Sequence, residues 1–358
     1  MKIVKLLAAT LVAAAMGVSA SADAPKDKAK VGFIYVGPTG DHGWTYRHDI
    51  GRQQVEEAYG DRVETTFVES VPEGADAERV LTQMALQGAD IIFATSFGYM
   101  DPVINVAKKF PNVKFEHATG YKQSENAANY GLKLYQARHV QGVVAGMMTK
   151  TNKICYIASF PIPEVMREIN TFFLGARKYN PNVELSITWV YTWYDPGKEK
   201  DAAVAMIQQG CDIVAQHTDS PAPLQAAEEA GVLGFGQASD QMKFAPNAQL
   251  TATIDNWGPY YIRKVGQVLD GTWETGDYFG HMNEDAVQMA PFANMPADVQ
   301  AEAQRVKDAI SAGELFGFTG PINKQDGTPW LAEGEVATRQ QLDTMMFYVE
   351  GITSQVPG

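Results

Sequence analysis

One supersecondary unit is written twice into this chain. Lys30-Val31-Gly32-Phe33-Ile34-Tyr35 returns as Lys153-Ile154-Cys155-Tyr156-Ile157-Ala158, and Gln87-Gly88-Ala89-Asp90-Ile91-Ile92 returns as Gln209-Gly210-Cys211-Asp212-Ile213-Val214. Each copy alternates apolar strand and amphipathic helix and ends in a Gly-x-Asp-Ile strand. That alternation builds a parallel sheet with helices on both faces. Two such sheets give two equal α/β lobes. Because open α/β sheets bind ligands beyond the carboxyl ends of their strands, two lobes facing each other across a hinge have the geometry of a clamp for a small molecule.

Met1-Lys2-Ile3-Val4-Lys5 is followed by a nearly apolar run from Leu6 to Val18 and by Ala20-Ser21-Ala22. A basic start, an apolar stretch too short to span a bilayer and an Ala-x-Ala site predict a secretory signal peptide over residues 1–22. The mature protein is then exported to the periplasm, and with no cysteine near the cleavage site it carries no lipid anchor. The 358-residue chain has a net charge of −13, and loss of the leader removes two lysines and no acid. An acidic surface disfavours nucleic acid and anionic membranes as partners. Cys155 and Cys211 fall in neighbouring strands of the second copy. Since bonding across adjacent parallel strands rarely fits disulfide geometry, two buried thiols are expected.

Helical spacing covers Trp44–Tyr59, Ala75–Gln87, Asp101–Lys109, Tyr135–Met148, Glu164–Lys178, Gly197–Gln209, Ala222–Gly231 and Gly258–Asp270. Within Tyr135–Met148, Gly142 and Gly146 are read as permitting close packing on a sheet. A strand at Gln249–Ile254, a return of Gly258–Asp270 to the first lobe and a crossing at Ala286–Pro291 give three connections between lobes. The first lobe is therefore expected over 30–132 and 253–284, and the second over 133–252 and 285–358.

Aromatic and acidic residues concentrate just past the strand ends. The first lobe offers Asp41, His42 and Trp44, then Ser96 and Phe97. The second offers Trp193, then His217 and Asp219, then Asp240. Flat side chains on two faces with carboxylates at the edge suit an uncharged heteroaromatic ring. Trp44 and Trp193 can supply the faces. Asp41 and Asp240 precede helical stretches and can equally act as helix caps. No Gly-x-Ser-x-Gly, His-Glu-x-x-His or P-loop pattern is present, so no enzyme and no cofactor is expected. His42 and His48 lack a third ligand, so no metal site is expected either.

Asp41-His42-Gly43-Trp44-Thr45, Thr192-Trp193-Tyr194-Asp195-Pro196-Gly197-Lys198-Glu199, Ser239-Asp240-Gln241 and Phe318-Thr319-Gly320-Pro321-Ile322, in that order, resemble the basic membrane protein family of ABC transporter solute-binding proteins. The resemblance spans essentially all of the mature chain. It implies a type I periplasmic binding fold: two doubly wound parallel-sheet lobes joined by a three-strand hinge, acting as a monomer beside an ABC permease of the inner membrane. It also implies a purine held between two rings, matching Trp44 and Trp193, with Asp41 and Asp240 at its polar edge. Where nucleoside-binding relatives carry ribose-contacting residues, this chain has Asp255 and the His117-Ala118-Thr119-Gly120 segment. The expected ligand is therefore a free nucleobase, adenine first. Nucleoside import, a ligand-sensing module and an exported nucleoside hydrolase are the alternatives.

Overall fold

A computed structural model describes residues 24–357; the expected leader and its cleavage site lie outside the described residues. The first half of the chain forms β1 (Ala29–Ile34), α1 (Trp44–Tyr59), β2 (Val63–Val68), α2 (Ala75–Leu86), β3 (Ile91–Ala94), α3 (Met100–Lys109), β4 (Lys114–Ala118) and β5 (Ala127–Leu132). There follow α4 (Tyr135–Met148), β6 (Lys153–Ala158), α5 (Pro163–Tyr179), β7 (Glu184–Trp189), α6 (Pro196–Gln208), β8 (Ile213–His217), α7 (Ala222–Ala230), β9 (Leu233–Gly236) and β10 (Gln249–Asp255). The remainder is α8 (Gly258–Asp270), β11 (Asp277–Gly280), β12 (Val287–Met289), α9 (Ala297–Ser311), β13 (Ile322–Asn323), β14 (Pro329–Leu331) and α10 (Arg339–Asp343).

The strands assemble into two six-stranded sheets of matching order, β11-β5-β4-β3-β1-β2 and β12-β10-β9-β8-β6-β7. Within these two sheets all pairings are parallel except that between β10 and β12, and β13 with β14 forms a separate antiparallel pair. In both sheets the order reverses beside the first strand of the repeat, between β1 and β3 and between β6 and β8. Loops leaving neighbouring strands at such a switch point run in opposite directions and open a crevice. The repeat therefore places one crevice on each lobe.

Three passages join the lobes, after β5, after β10 and between β11 and β12. Thr253, Ile254 and Asp255 pair with Met289, Gln288 and Val287 in the second sheet, so the chain leaves that sheet after Asp255 rather than at 253. Helix α8 then docks on the first lobe around Glu116, fully buried on β4. Its carboxylate accepts from Tyr260 Oη at 2.6 Å and Trp273 Nε1 at 2.7 Å, and lies 3.0 Å from Lys264 Nζ. Strand β11, which ordinary sequence periodicity does not announce, extends the first sheet beside β5. Residues 297–357, read as part of the second lobe without elements, form α9, β13, β14, α10 and a tail. Asn170 of α5 holds the tail by donating to Phe347 O at 2.8 Å and accepting from Val349 N at 3.0 Å.

Two packing expectations need correction. Gly142 and Gly146 face helix α5, not a sheet: a Cβ at these positions would lie 2.0 Å from Phe172 O and 2.3 Å from Ala176 O. Missing side chains let the two helix backbones touch, the same steric logic with a different neighbour. Cys155 and Cys211 form a disulfide, with Cα atoms 5.8 Å apart. The expectation of free thiols placed both in the ladder, but Cys211 sits in the turn before β8, whose first residue is Ile213, while Cys155 pairs with Val214. Free of the ladder, Cys211 can swing its Cβ toward β6 within ordinary disulfide distances. Because the bond closes a 56-residue separation, Cys155→Ala with Cys211→Ala should lower the unfolding free energy by about 2–4 kcal/mol. Guanidinium unfolding of the double variant against the oxidised protein measures this directly.

Candidate functional site

The two crevices face each other, and between them lies a cavity lined by Val36, Trp44, Ser96, Phe97 and Thr119 of the first lobe and by Ile162, Glu164, Trp193, His217, Asp219 and Gln237 of the second. Each lining residue sits on a strand end or on the loop or helix start just beyond it. Of the nine residues expected at a ligand, six line this cavity: Trp44, Ser96, Phe97, Trp193, His217 and Asp219.

The other three are turned elsewhere. Asp41 is buried, but its carboxylate accepts from the amides of Gly43 at 2.8 Å, Thr45 at 3.0 Å and Tyr46 at 2.9 Å. It caps the start of α1. Asp240 is exposed and accepts from Met242 N at 3.0 Å and Gln249 Nε2 at 2.7 Å, stiffening its own loop. The His42 ring leans on Phe244, at 4.9 Å between centroids. Thr119 stands where the resemblance implies a ribose contact; Val36, Ile162, Glu164 and Gln237 are not among the residues expected at a ligand. Only their positions after strands signalled them, because nothing local distinguishes Glu164 from a helix-start acid or Gln237 from a loop amide.

Trp44 is fixed from behind. Its indole Nε1 donates to Thr95 O at 2.7 Å, and its ring meets Trp257 edge-on at 5.3 Å. Trp193 is held differently: Phe160 lies against it at 5.1 Å, and Asp219 N donates to its carbonyl at 2.9 Å. Its buried Nε1 has no hydrogen-bond partner among the described residues, and neither has Asp219 Oδ2. Buried polar atoms are nearly always satisfied, so each such atom asks for an explanation, and a bound molecule is one.

Beneath the second-lobe wall lies a charged floor. Arg138 of α4, with no exposure, donates to Glu168 Oε2 at 2.9 Å, Gln141 Oε1 at 2.9 Å and Gln216 O at 2.7 Å, and also to Gln237 Oε1. His217 bridges two acids, with Nδ1 3.3 Å from Glu168 Oε2 and Nε2 3.8 Å from Glu164 Oε1. Burial alone would raise Glu168, but His217 and Arg138 outweigh it and bring the carboxyl down to about 2. Glu164 goes the other way: burial, with the charge of Glu168, pushes it up to about 7 against the opposing pull of Arg167. Burial also raises Asp219 well above the usual range, reinforced by the charges of Asp41 and Glu199. Glu164, Glu168 and His217 have donor atoms within 4.8 Å of one another and so form a possible ion site. Arg138 already occupies Glu168, and Arg167 lies 3.5 Å from Glu164. Two guanidinium groups so close oppose a dication there.

These carboxyls make a signed prediction. His117 and His139, both held near 4 by burial, oppose stability only below the ordinary histidine range. Above about pH 6.5 the folded chain binds extra protons on Glu164, which the unfolded chain, ionised at such pH, does not. Stability of the ligand-free protein should therefore fall as pH rises from about 6.5 to 8. The fall should be shallower in Glu164→Gln, and scanning calorimetry across that range checks both.

Comparison with known proteins agrees with this architecture. Among solved structures, a solute-binding protein of an ABC transporter system from Aeropyrum pernix K1 superposes with a TM-score of 0.71 at 19% identity, covering 88% of this chain and 96% of its own. One from Conexibacter woesei DSM 14684 gives 0.62 at 21% identity, covering 80% and 98%. Both likenesses are of fold. In sequence, the chain is 53% identical over 352 residues, 98% of this chain and all of the relative, to a purine-binding protein of Brucella abortus (strain 2308). It is 36% identical to a putative ABC transporter glucose-binding protein of Haloferax volcanii, over 91% of this chain and 80% of that one. Residues 28–315 match the family described as ABC transporter substrate-binding protein, PnrA-like. The repeated lobes, the cleft at their paired switch points and these matches place the chain in that PnrA-like family of ABC transporter substrate-binding proteins.

Proposed function

We propose that the protein captures a purine nucleobase, adenine first, in the periplasm and delivers it to an ABC permease of the inner membrane. The observation that carries this reading is the cavity at the two switch points, with Trp44 on one side, Trp193 on the other and an excess of carboxyl acceptors around it. Two indoles suit a flat ring. Glu164 and Asp219 suit a ligand whose edge presents N–H donors, and adenine offers an amino group and a ring N–H. Thr119 and Asp255, at the positions expected to contact ribose, favour a base without its sugar. The Brucella relative, purine-binding by its name, supports the ligand class.

Binding to the folded state raises the melting temperature, with about 2.7 kcal/mol of stabilisation at a hundredfold excess over Kd. Thermal shifts of ligand-stripped protein with adenine, guanine, hypoxanthine, their nucleosides and glucose test the assignment. Adenine should stabilise most. A larger shift with adenosine would overturn the free-base reading, and a shift with glucose alone would overturn the purine reading.

The two tryptophans should separate in a second experiment. Trp193→Ala should weaken adenine binding by about 1–3 kcal/mol, the usual worth of a stacked base, with little effect on the ligand-free melting temperature. Trp44→Ala should weaken binding and also destabilise the free protein, because its indole donates to Thr95 O and packs on Trp257. Calorimetric titration and thermal melts of both variants distinguish these outcomes.

A further inference from the structure

The Ser-Asp-Gln motif does not use its aspartate toward the cavity; its flanking residues reach across the cleft instead. Ser239 Oγ and Gln241 Nε2, both on the second lobe, donate to the carbonyl of His42 on the first, Gln241 at 3.2 Å. One residue on, a Cβ at Gly43 would lie 2.1 Å from Asp219 O and 2.9 Å from Asp219 Cα. The two backbones therefore meet with only a glycine between them.

Both halves are braced within their own lobes. On the first, Asp41 receives the amides that follow His42, fixing the direction of its carbonyl. On the second, Gln241 N donates to Gln249 Oε1 at 3.0 Å, and Gln241 Oε1 accepts from Gln216 Nε2 at 3.2 Å. Gln249 in turn donates to Asp240, which explains the outward aspartate as a brace of the brace.

We propose that Ser239, Gln241 and Gly43 form a latch that closes the lobes over bound ligand and sets how long it is held. The latch rests on the ligand-capture reading but contacts no ligand. Its bonds span lobes joined by only three passages, so they are made on closing and broken on opening, and their loss should appear in the opening rate. These are positioning residues: they act through the arrangement of the two cavity walls.

Ser239→Ala removes one latch bond, and Gly43→Ala wedges a methyl against Asp219 O. Stopped-flow tryptophan fluorescence with adenine should show dissociation accelerated by up to about tenfold in Ser239→Ala, as loss of one hydrogen bond implies, and by more in Gly43→Ala. Association should change little. X-ray scattering at saturating adenine should show a larger mean radius for both variants, with melting temperatures of the ligand-free proteins near the parent value. If Gly43→Ala does not fold, Ser239→Ala carries the test alone. Unchanged dissociation and unchanged radius in the folded variants would overturn the latch. Failure of the parent protein to bind adenine would instead overturn the ligand assignment. The scattering comparison is then made on proteins purified with whatever ligand they retain, where equal radii overturn the latch and larger ones in the variants support it.

Discussion

The buried guanidinium of Arg138 is the interaction on which the cleft floor depends. It ties helix α4 to α5 through Glu168, to the end of β8 through Gln216 O and to the end of β9 through Gln237. A charge without solvent exposure is tolerated only when it is paired and hydrogen-bonded on every side, and removing one partner strands the other. Through Glu168, the same group orders His217, and His217 in turn faces Glu164. The polar wall of the cavity is therefore set from below, by residues that do not line it. Gln237 is the exception, touching both Arg138 and the cavity.

The first lobe presents its wall by different means. An aromatic cluster of Phe33, Phe93, Tyr130, Trp257, Tyr261 and His48 packs under Trp44, with ring centroids 4.4–6.3 Å apart. Dispersion and edge-to-face geometry fix Trp44 rather than charge. The cleft thus joins a rigid apolar face to a charged one, an arrangement suited to a flat ligand with a polar rim. Across the cleft Asp219 lies near Asp41 and, within its own lobe, near Glu164, and all three carboxyls are raised by burial. A ligand that donates to such acceptors lowers the cost of bringing them together.

How far the site could be read in advance varied residue by residue. Trp44, Trp193, Ser96, Phe97, His217 and Asp219 were legible because a parallel α/β sheet always gathers its strand-end loops on one side. Asp41 and Asp240 occupy the same kind of position, yet one caps a helix and the other supports a turn. Loop torsions decide which way a side chain points, and neither composition nor spacing encodes them. His42 shows this most directly: with a φ of +58° its carbonyl accepts from Ser239 and Gln241 across the cleft, while its ring leans on Phe244 away from the cavity. Glu164 and Gln237 escape such a reading because the groups they face, His217 of β8 and Arg138 of α4, are distant in sequence.

What the amino-acid order determined alone was the repeat, the strand and helix sequence and hence the side of each sheet on which ligand can sit. Those follow from local periodicity and from the handed, short connections that parallel sheets require. Tertiary structure decided the disulfide, the addition of β11 and the tail, the helix that covers Gly142 and Gly146, and the contact of Gly43 with Asp219. Each of these depends on the approach of segments far apart in the chain. Such distances are set by the packing of whole lobes, to which any single residue contributes only a small part.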